Sequence, residues 1–505
     1  MKPTEFTSFT RAMITITVML VAVLEVLDMT IVNVALPAMM GNLGTNSDQI
    51  TWVLTSYIVS SAILMPMTGF LVERLGRKRL LLMNIVGFFA ASMLCGFATN
   101  LTQIVAFRTM QGLFGAALVP LAQYILRDTY PKEEHGKAMA IWGIGIMAGP
   151  ILGPTIGGYI TDALTWRWVF FINAPVCIIA FFMALKFVIE TPRKKIKIDW
   201  IGIVLLTVGV GALQIFLDRG NSEGWFDAKV IQALFATWVL AISFFIIRGV
   251  RVKNSIINLR LYLNRNFLIG ELLITFYVMS MLGLIAIQPI MLENLLGYPV
   301  TTTGLLMAPR GFASALGMVV VSLFINRSDS RVLLAIGIAL SGIGTYAISL
   351  FNLNTNALTI MWTGAVQGFG MGFFFVPLST ITFVTLDKES IPEATGLFSF
   401  ARSIGSSIGI SIFATMVSHQ SQINWQELSA HVSPFSRNLT LWLNHPGWQL
   451  QEPQAISSVV TQISRQASMI AYNDTFWMVS FIFFALLPLV FFLENGKPDE
   501  ALAVH

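Results

Sequence analysis

The chain is 505 residues long, 55% hydrophobic and 11% charged, with a mean hydropathy of +0.73. Soluble domains carry about 25% charged residues, so this composition excludes a string of soluble domains and identifies a polytopic membrane protein. The net charge of +5 does not call for a nucleic-acid partner, because the basic residues sit where membrane anchors sit. The two cysteines, Cys95 and Cys177, fall in apolar runs, so neither a disulfide framework nor a Cys-based metal site is expected.

Apolar runs of about 20 residues predict fourteen transmembrane helices, near 12–38, 50–71, 80–98, 102–125, 138–160, 168–189, 200–217, 229–247, 267–292, 304–325, 332–351, 357–384, 394–417 and 475–493. Span 1 is too long and too acidic for a cleaved signal peptide and is expected to stay as a helix. It holds two carboxylates, Glu25 and Asp28, three residues apart and therefore on one helical face. A charge at the bilayer centre costs at least ~2.5–3.5 kcal/mol on insertion scales. That face must look into protein or a water-filled cavity, where an acid can trade a proton or simply hold two helices together.

Span 2 ends in residues 69–79, GFLVERLGRKR. Gly69 permits a close helix approach and Gly76 supplies a turn. Glu73 can pair with Arg74, Arg77 or a facing helix end as a breakable latch. Span 4 carries Arg108 three residues before Gln111, on one face. Arg108 lies about 9 Å and Asp28 about 13 Å from the external ends of their spans, depths that suit a pair. Span 5, residues 145–158, reads GIMAGPILGPTIGG, with glycines at 145, 149, 153 and 157. Small residues every four positions let another helix come close, while Pro150 and Pro154 bend the helix. The pattern is expected at the seam between two bundles.

The two ends of the chain repeat each other. Residues 111–121, QGLFGAALVPL, return as 367–378, QGFGMGFFFVPL, with one residue inserted. Gly149 and Gly153 recur as Gly405 and Gly409, and 37–44 (PAMMGNLG) echoes 289–297 (PIMLENLLG). Spans 1–6 and 9–14 thus read as homologous six-helix bundles with two helices inserted, a 6+2+6 arrangement. The boundaries drawn are 1–195, 196–262 and 263–505. In such repeats the substrate path runs between the halves.

Further along, Arg402 in span 13 is a candidate for the cavity wall, with Gln111, Gln367 and Tyr57; Trp52, Gln123, Gln288 and Phe374 are weaker ones. Glu271 and Arg310 lie close enough to span ends to reach the interface, and Asp218 and Arg219 are expected at the outer end of span 7. His135, His419, His431 and His445 fall in predicted loops without ligand spacing, so no metal is assigned. Residues 418–474 form an external loop, with a weak amphipathic pattern at 457–470. Alternate assignment of the loops places 22 Lys and Arg on the side of the termini against 5 opposite. Both termini are therefore expected in the cytoplasm, with 74–79, 193–197 and 248–265 as anchors against the lipid surface.

The segments 27–37 (LDMTIVNVALP), 69–79, 108–112 (RTMQG), 145–158, 166–175 (WRWVFFINAP) and 213–220 (LQIFLDRG) together resemble the fourteen-span drug:proton antiporter branch of the major facilitator superfamily, in its EmrB-type group. The resemblance implies an all-α major facilitator fold and proton-driven export of drugs across a bacterial inner membrane. It implies no cofactor beyond the proton gradient, and a periplasmic adaptor and outer-membrane channel as partners, the external loop meeting the adaptor. Two positions depart from the family: Glu73 stands where it usually has Asp, and Glu25 is outside its motif. Proton coupling is then expected at Asp28 and Arg108, with Glu25 as an addition of this chain. Export of one endogenous compound, such as a siderophore or lipid, and a non-transporting sensor are the competing functions. An enzyme is not expected, because no nucleophile–base or metal constellation appears.

Overall fold

The computed structural model describes residues 7–194, 198–252, 255–325, 327–432 and 453–494. Among them there is no strand, and the long helices in chain order are α1 (Ser8–Leu43), α2 (Trp52–Leu75), α3 (Arg77–Phe97), α4 (Leu101–Thr129), α5 (His135–Ala163), α6 (Trp168–Phe187), α7 (Trp200–Arg219), α8 (Lys229–Arg251), α9 (Arg265–Asn294), α10 (Val300–Phe324), α11 (Ser330–Ile348), α12 (Ala357–Ile381), α13 (Ile391–Ala430) and α14 (Pro453–Val490). Thirteen of the described helices are long and apolar enough to cross a membrane. With the 29-residue α5, the count fits the expected fourteen.

The helices start where short polar side chains can take the free N–H groups of the first turn. Thr7 accepts from the Thr10 N–H, Asn100 from Gln103, Asn264 from Phe267 and Asn356 from Thr359. Interruptions follow proline. α2 tightens to a 3-10 turn at Met65–Met67, around Pro66, and α4 breaks between Gly115 and Leu118, just before Pro120.

The first six helices pack among themselves, α1 against α4, α5 and α6, and α2 and α3 against α4. The last six do likewise, α9 against α13, α12 between α10 and α11, and α14 along α11 and α13. The two groups meet where α5 packs on α10 and α12, and where α13 packs on α2 and α4. α7 sits against both α2 and α13, and α8 lies outside α7 with most of its surface exposed, as for a lipid-facing helix.

The expected external loop 418–474 is largely helical. α13 runs 40 residues and α14 runs 38, about 60 and 57 Å at ~1.5 Å per residue, against a ~30 Å hydrocarbon core. His419 therefore lies within α13, and His135 begins α5. The amphipathic stretch 457–470 is the first part of α14. His445, the rest of the loop at 433–452, and the basic residues Lys195, Lys197 and Lys253 lie outside the described residues.

Candidate functional site

Asp28 and Arg108 meet. Asp28 is fully buried and Arg108 is 1% exposed, and Arg108 Nη1 donates to Asp28 Oδ2 at 2.7 Å. The other carboxylate oxygen accepts from Gln111 Nε2 at 2.9 Å and from Asn173 Nδ2 at 2.6 Å. The guanidinium also donates to Gln111 Oε1 at 2.8 Å and, through Nε, to the Val53 carbonyl at 3.1 Å. Asn173 donates in addition to Ser92 Oγ at 3.0 Å, which donates to the Phe170 carbonyl at 2.9 Å. Five helices, α1, α2, α3, α4 and α6, thus close one buried network. A buried ion pair is tolerated when its remaining donors and acceptors are satisfied, and here the carboxylate receives three donors.

Asn173 was not among the expected site residues. Its signal was available: an amide in an apolar run must find a partner.

Tyr57 joins this network to Glu25. Its ring lies 4.2 Å from the Arg108 guanidinium carbon, and its hydroxyl donates to Glu25 Oε1 at 3.4 Å. Glu25 is 3% exposed. Arg402 of α13 is close enough to act on Glu25 electrostatically, and its guanidinium lies 5.6 Å from the Trp142 ring centroid. The two charges come from opposite helix groups and make no direct ion pair among the described residues. Gln367 is elsewhere. It donates to Thr345 Oγ1 at 2.8 Å between α12 and α11, so the repeat partner of Gln111 has become a packing residue of the other group.

The glycine comb faces α1, not the seam. A Cβ at Gly145 would meet Met19, at Gly149 Val26, at Gly153 the Thr30 hydroxyl, and at Gly157 Ile31. The four glycines therefore let α5 press against the stretch of α1 that carries Glu25 and Asp28, and Thr30 donates to the Gly149 carbonyl at 3.0 Å. Pro150 and Pro154 lie within α5; only their backbone is described. The seam contacts of α5 use other glycines, Gly136 against Ile325 and Gly143 against Met318 of α10.

The residues expected to form a latch lie at the end of the bundle that carries the basic loops. Gly69 abuts the backbone of Glu393 so closely that a Cβ would overlap its Cα. Gly76 takes a left-handed φ of 85°, and Glu190 accepts from the Lys78 and Arg79 N–H groups at 3.0 and 3.2 Å. Glu73 pairs with neither Arg74 nor Arg77. Its partner is Lys194 at 3.0 Å, which also reaches Glu389 at 2.9 Å. Glu389 raises the lysine's proton affinity above its ordinary value, and Glu73 adds to that. Arg77 instead pairs with Asp128 and donates to the Ile189 carbonyl, while Arg74 is half-buried without an ion pair among the described residues. Arg127 of α4 donates across to the Ser379 carbonyl of α12 at 2.7 Å. The two helix groups are thus tied together at the basic end.

The weaker candidates scatter. Phe374 stacks on Tyr277 at 3.5 Å between centroids, and Gln123 is fully buried against Met139. Arg219 lies over Trp52, and Asp218 accepts from Thr55 at 2.7 Å, so the end of α7 is pinned to α2. Glu271 does not reach an interface: it is 6% exposed, with Oε1 unpartnered. Arg310 is likewise 6% exposed and is bonded to Gln288. Among the described residues no group of His, Cys, Asp and Glu could hold a metal ion.

The pattern of the Major Facilitator Superfamily matches residues 18–410. The chain is 36% identical to the multidrug export protein EmrB of Escherichia coli K12, over 95% of this chain and 94% of that one. It is 33% identical to the fatty acid resistance protein FarB of Neisseria gonorrhoeae, over 95% of each. In fold it is similar to the crystal structure of the human organic anion transporter MFSD10 (TETRAN), with a TM-score of 0.61 at 13% identity, covering 94% of this chain and 99% of that one.

Proposed function

The chain belongs to the Major Facilitator Superfamily, and from that premise we propose that it is a proton-driven exporter of hydrophobic or amphipathic toxic compounds, with Asp28 as the proton carrier. One observation carries the reading: a buried carboxylate held by three donors, one of them a guanidinium, inside the first transmembrane helix. A purely structural acid has no need of so charged a setting, since apolar packing of similar volume is often as stable.

In this reading the arrangement closed at the basic end, which the positive-inside rule places in the cytoplasm of a bacterial inner membrane, faces outward. A proton reaching Asp28 from outside removes the charge that Arg108, Gln111 and Asn173 hold. The freed guanidinium must then find new partners, and Tyr57, stacked on it, carries the change to Glu25 and the cavity. Breaking Lys194–Glu389 and Arg127–Ser379 lets the two helix groups rock and open inward, where the proton leaves and substrate enters. Each step uses small differences in binding between two states.

The long outward extensions of α13 and α14 support a periplasmic adaptor as partner, with an outer-membrane channel beyond it. The decisive experiment reconstitutes the chain in proteoliposomes and imposes a pH gradient. Export of a lipophilic dye that tracks the gradient and stops when nigericin collapses it is the expected result. Dye binding without gradient-dependent flux would show a sensor instead.

A further inference from the structure

The repeat that aligns Gln111 with Gln367 also aligns Arg108 with Gly364, and the span 1 and span 9 match aligns Asp28 with Ser280. The second helix group therefore holds neither member of the ion pair at the matching positions. It has a guanidinium beside Gly364 all the same, from a neighbouring helix. Arg310 of α10 extends past Gly364, its Nε 3.9 Å from where a Cβ there would stand, and donates through Nη2 to Gln288 of α9. No carboxylate came with it: among the described residues none lies within ion-pair distance of Arg310.

The side chain is 6% exposed, yet Nε and Nη1 have no hydrogen-bond partner. Two hydroxyls on the same face of α10, Thr303 and Ser314, are also buried and unpartnered, as is that of Ser280. A Cβ at Gly364 would stand in ordinary van der Waals contact with Arg310. Its nearest neighbours are Arg310 atoms at 3.8 and 3.9 Å, whereas a Cβ at Gly368, Gly370 or Gly372 would run into backbone. A buried cation with one neutral partner is costly, and its loss of solvation is recovered only by an anion or further acceptors.

We propose that Arg310, with Gln288 and the side-chain-free face of Gly364, is a binding site for the carboxylate or another singly charged acidic group of an amphipathic export substrate. The site lies about 15 Å from the outer end of α10 at ~1.5 Å per residue. Nε and Nη1 each offer an unpartnered N–H, on opposite edges of the guanidinium, so either can give a carboxylate oxygen a charge-assisted hydrogen bond. The proton site thus stays in the first helix group while the substrate's charge docks in the second. The source of the ligand rests on the exporter reading above; the binding itself does not.

Equilibrium binding of naphthoate, naphthalenemethanol and naphthylmethylammonium to the full chain in neutral-lipid nanodiscs, followed by tryptophan quenching, tests the site. Naphthoate is expected to bind more tightly than the alcohol, by roughly tenfold or more for charge-assisted hydrogen bonds. Arg310→Gln should bring it down to the alcohol's affinity and leave the ammonium unchanged. Should Arg310→Gln misfold, Gly364→Val keeps the charge, crowds the Nε edge of the guanidinium and should cost naphthoate the same affinity. Equal affinity for naphthoate in wild type and both variants overturns the proposal. So does displacement of naphthoate by inorganic phosphate at equal concentration, which would mean a small-ion site, or its loss in nanodiscs containing phosphatidylglycerol, which would mean a lipid headgroup site. Failure of naphthoate to bind while gradient-driven dye export persists sinks this site alone; binding without any gradient-driven flux sinks the exporter reading alone.

Discussion

Replacing Asp28 with asparagine keeps the shape of the side chain and removes its charge, and the network predicts the cost. In the native protein Oδ2 faces one donor, Arg108, and Oδ1 faces two, Gln111 and Asn173. An asparagine can place its NH2 toward Arg108 or toward the two amides. Either way a donor meets a donor, and the guanidinium loses its counter-charge at 1% exposure. Breaking one partner of a buried pair costs about 3–5 kcal/mol. The Asp28→Asn protein should therefore stay in the membrane with a lowered unfolding temperature. Its gradient-driven export should fall to the protein-free background, while substrate exchange without a gradient continues. The same arithmetic applies to a proton on the native carboxyl, so protonation itself must displace Arg108. The assay is dye flux in proteoliposomes with an imposed pH gradient, against exchange without one. Gradient-driven export persisting in the Asp28→Asn protein would refute the reasoning, since no group would then remain at that position to exchange a proton.

Other outcomes follow from the packing. Gly153→Val should destabilise the detergent-solubilised protein by about 1–3 kcal/mol, the usual range for overpacking, because its Cβ would overlap the Thr30 hydroxyl. Gly158→Ala, with nothing nearer than 3.7 Å, should leave the melting curve unchanged; equal shifts in both would contradict the close α1–α5 contact. Gln111→Ala should abolish proton coupling, while Gln367→Ala, which loses one hydrogen bond worth about 1 kcal/mol, should retain it, as proteoliposome flux would register. Lys194→Gln should change stability by less than about 1 kcal/mol, as exposed pairs do, yet speed maleimide labelling of a cysteine placed at Ser390 by loosening the basic end. The lysine's proton affinity is raised by Glu389 and Glu73. Its contribution is thus complete below the ordinary lysine value of 10.5 and is lost only as pH rises through the raised one, so the ratio of labelling rates with and without Lys194→Gln should be flat from neutral to mildly alkaline pH, the thiolate's own pH dependence cancelling.

Much of the architecture was legible in the chain. The span count rests on twenty-residue hydropathy, because lipid forces each crossing segment to satisfy its own backbone. The Asp28–Arg108 pair was legible from depth, since rise per residue converts sequence position to height in the membrane. What the tertiary structure alone decided was direction around each helix axis. The comb of α5 could have faced the seam or α1 with equal spacing, and the fit of Met19, Val26, Thr30 and Ile31 into its glycines chose α1. The acid at 73 chose Lys194, a residue 121 positions away, over the arginines beside it. The predicted span 304–325 placed Arg310 near its outer end, where a long side chain commonly reaches water. Only the crossing of α9 and α12 turned it inward, because a helix's sequence sets which residues share a face, while its neighbours set what that face meets.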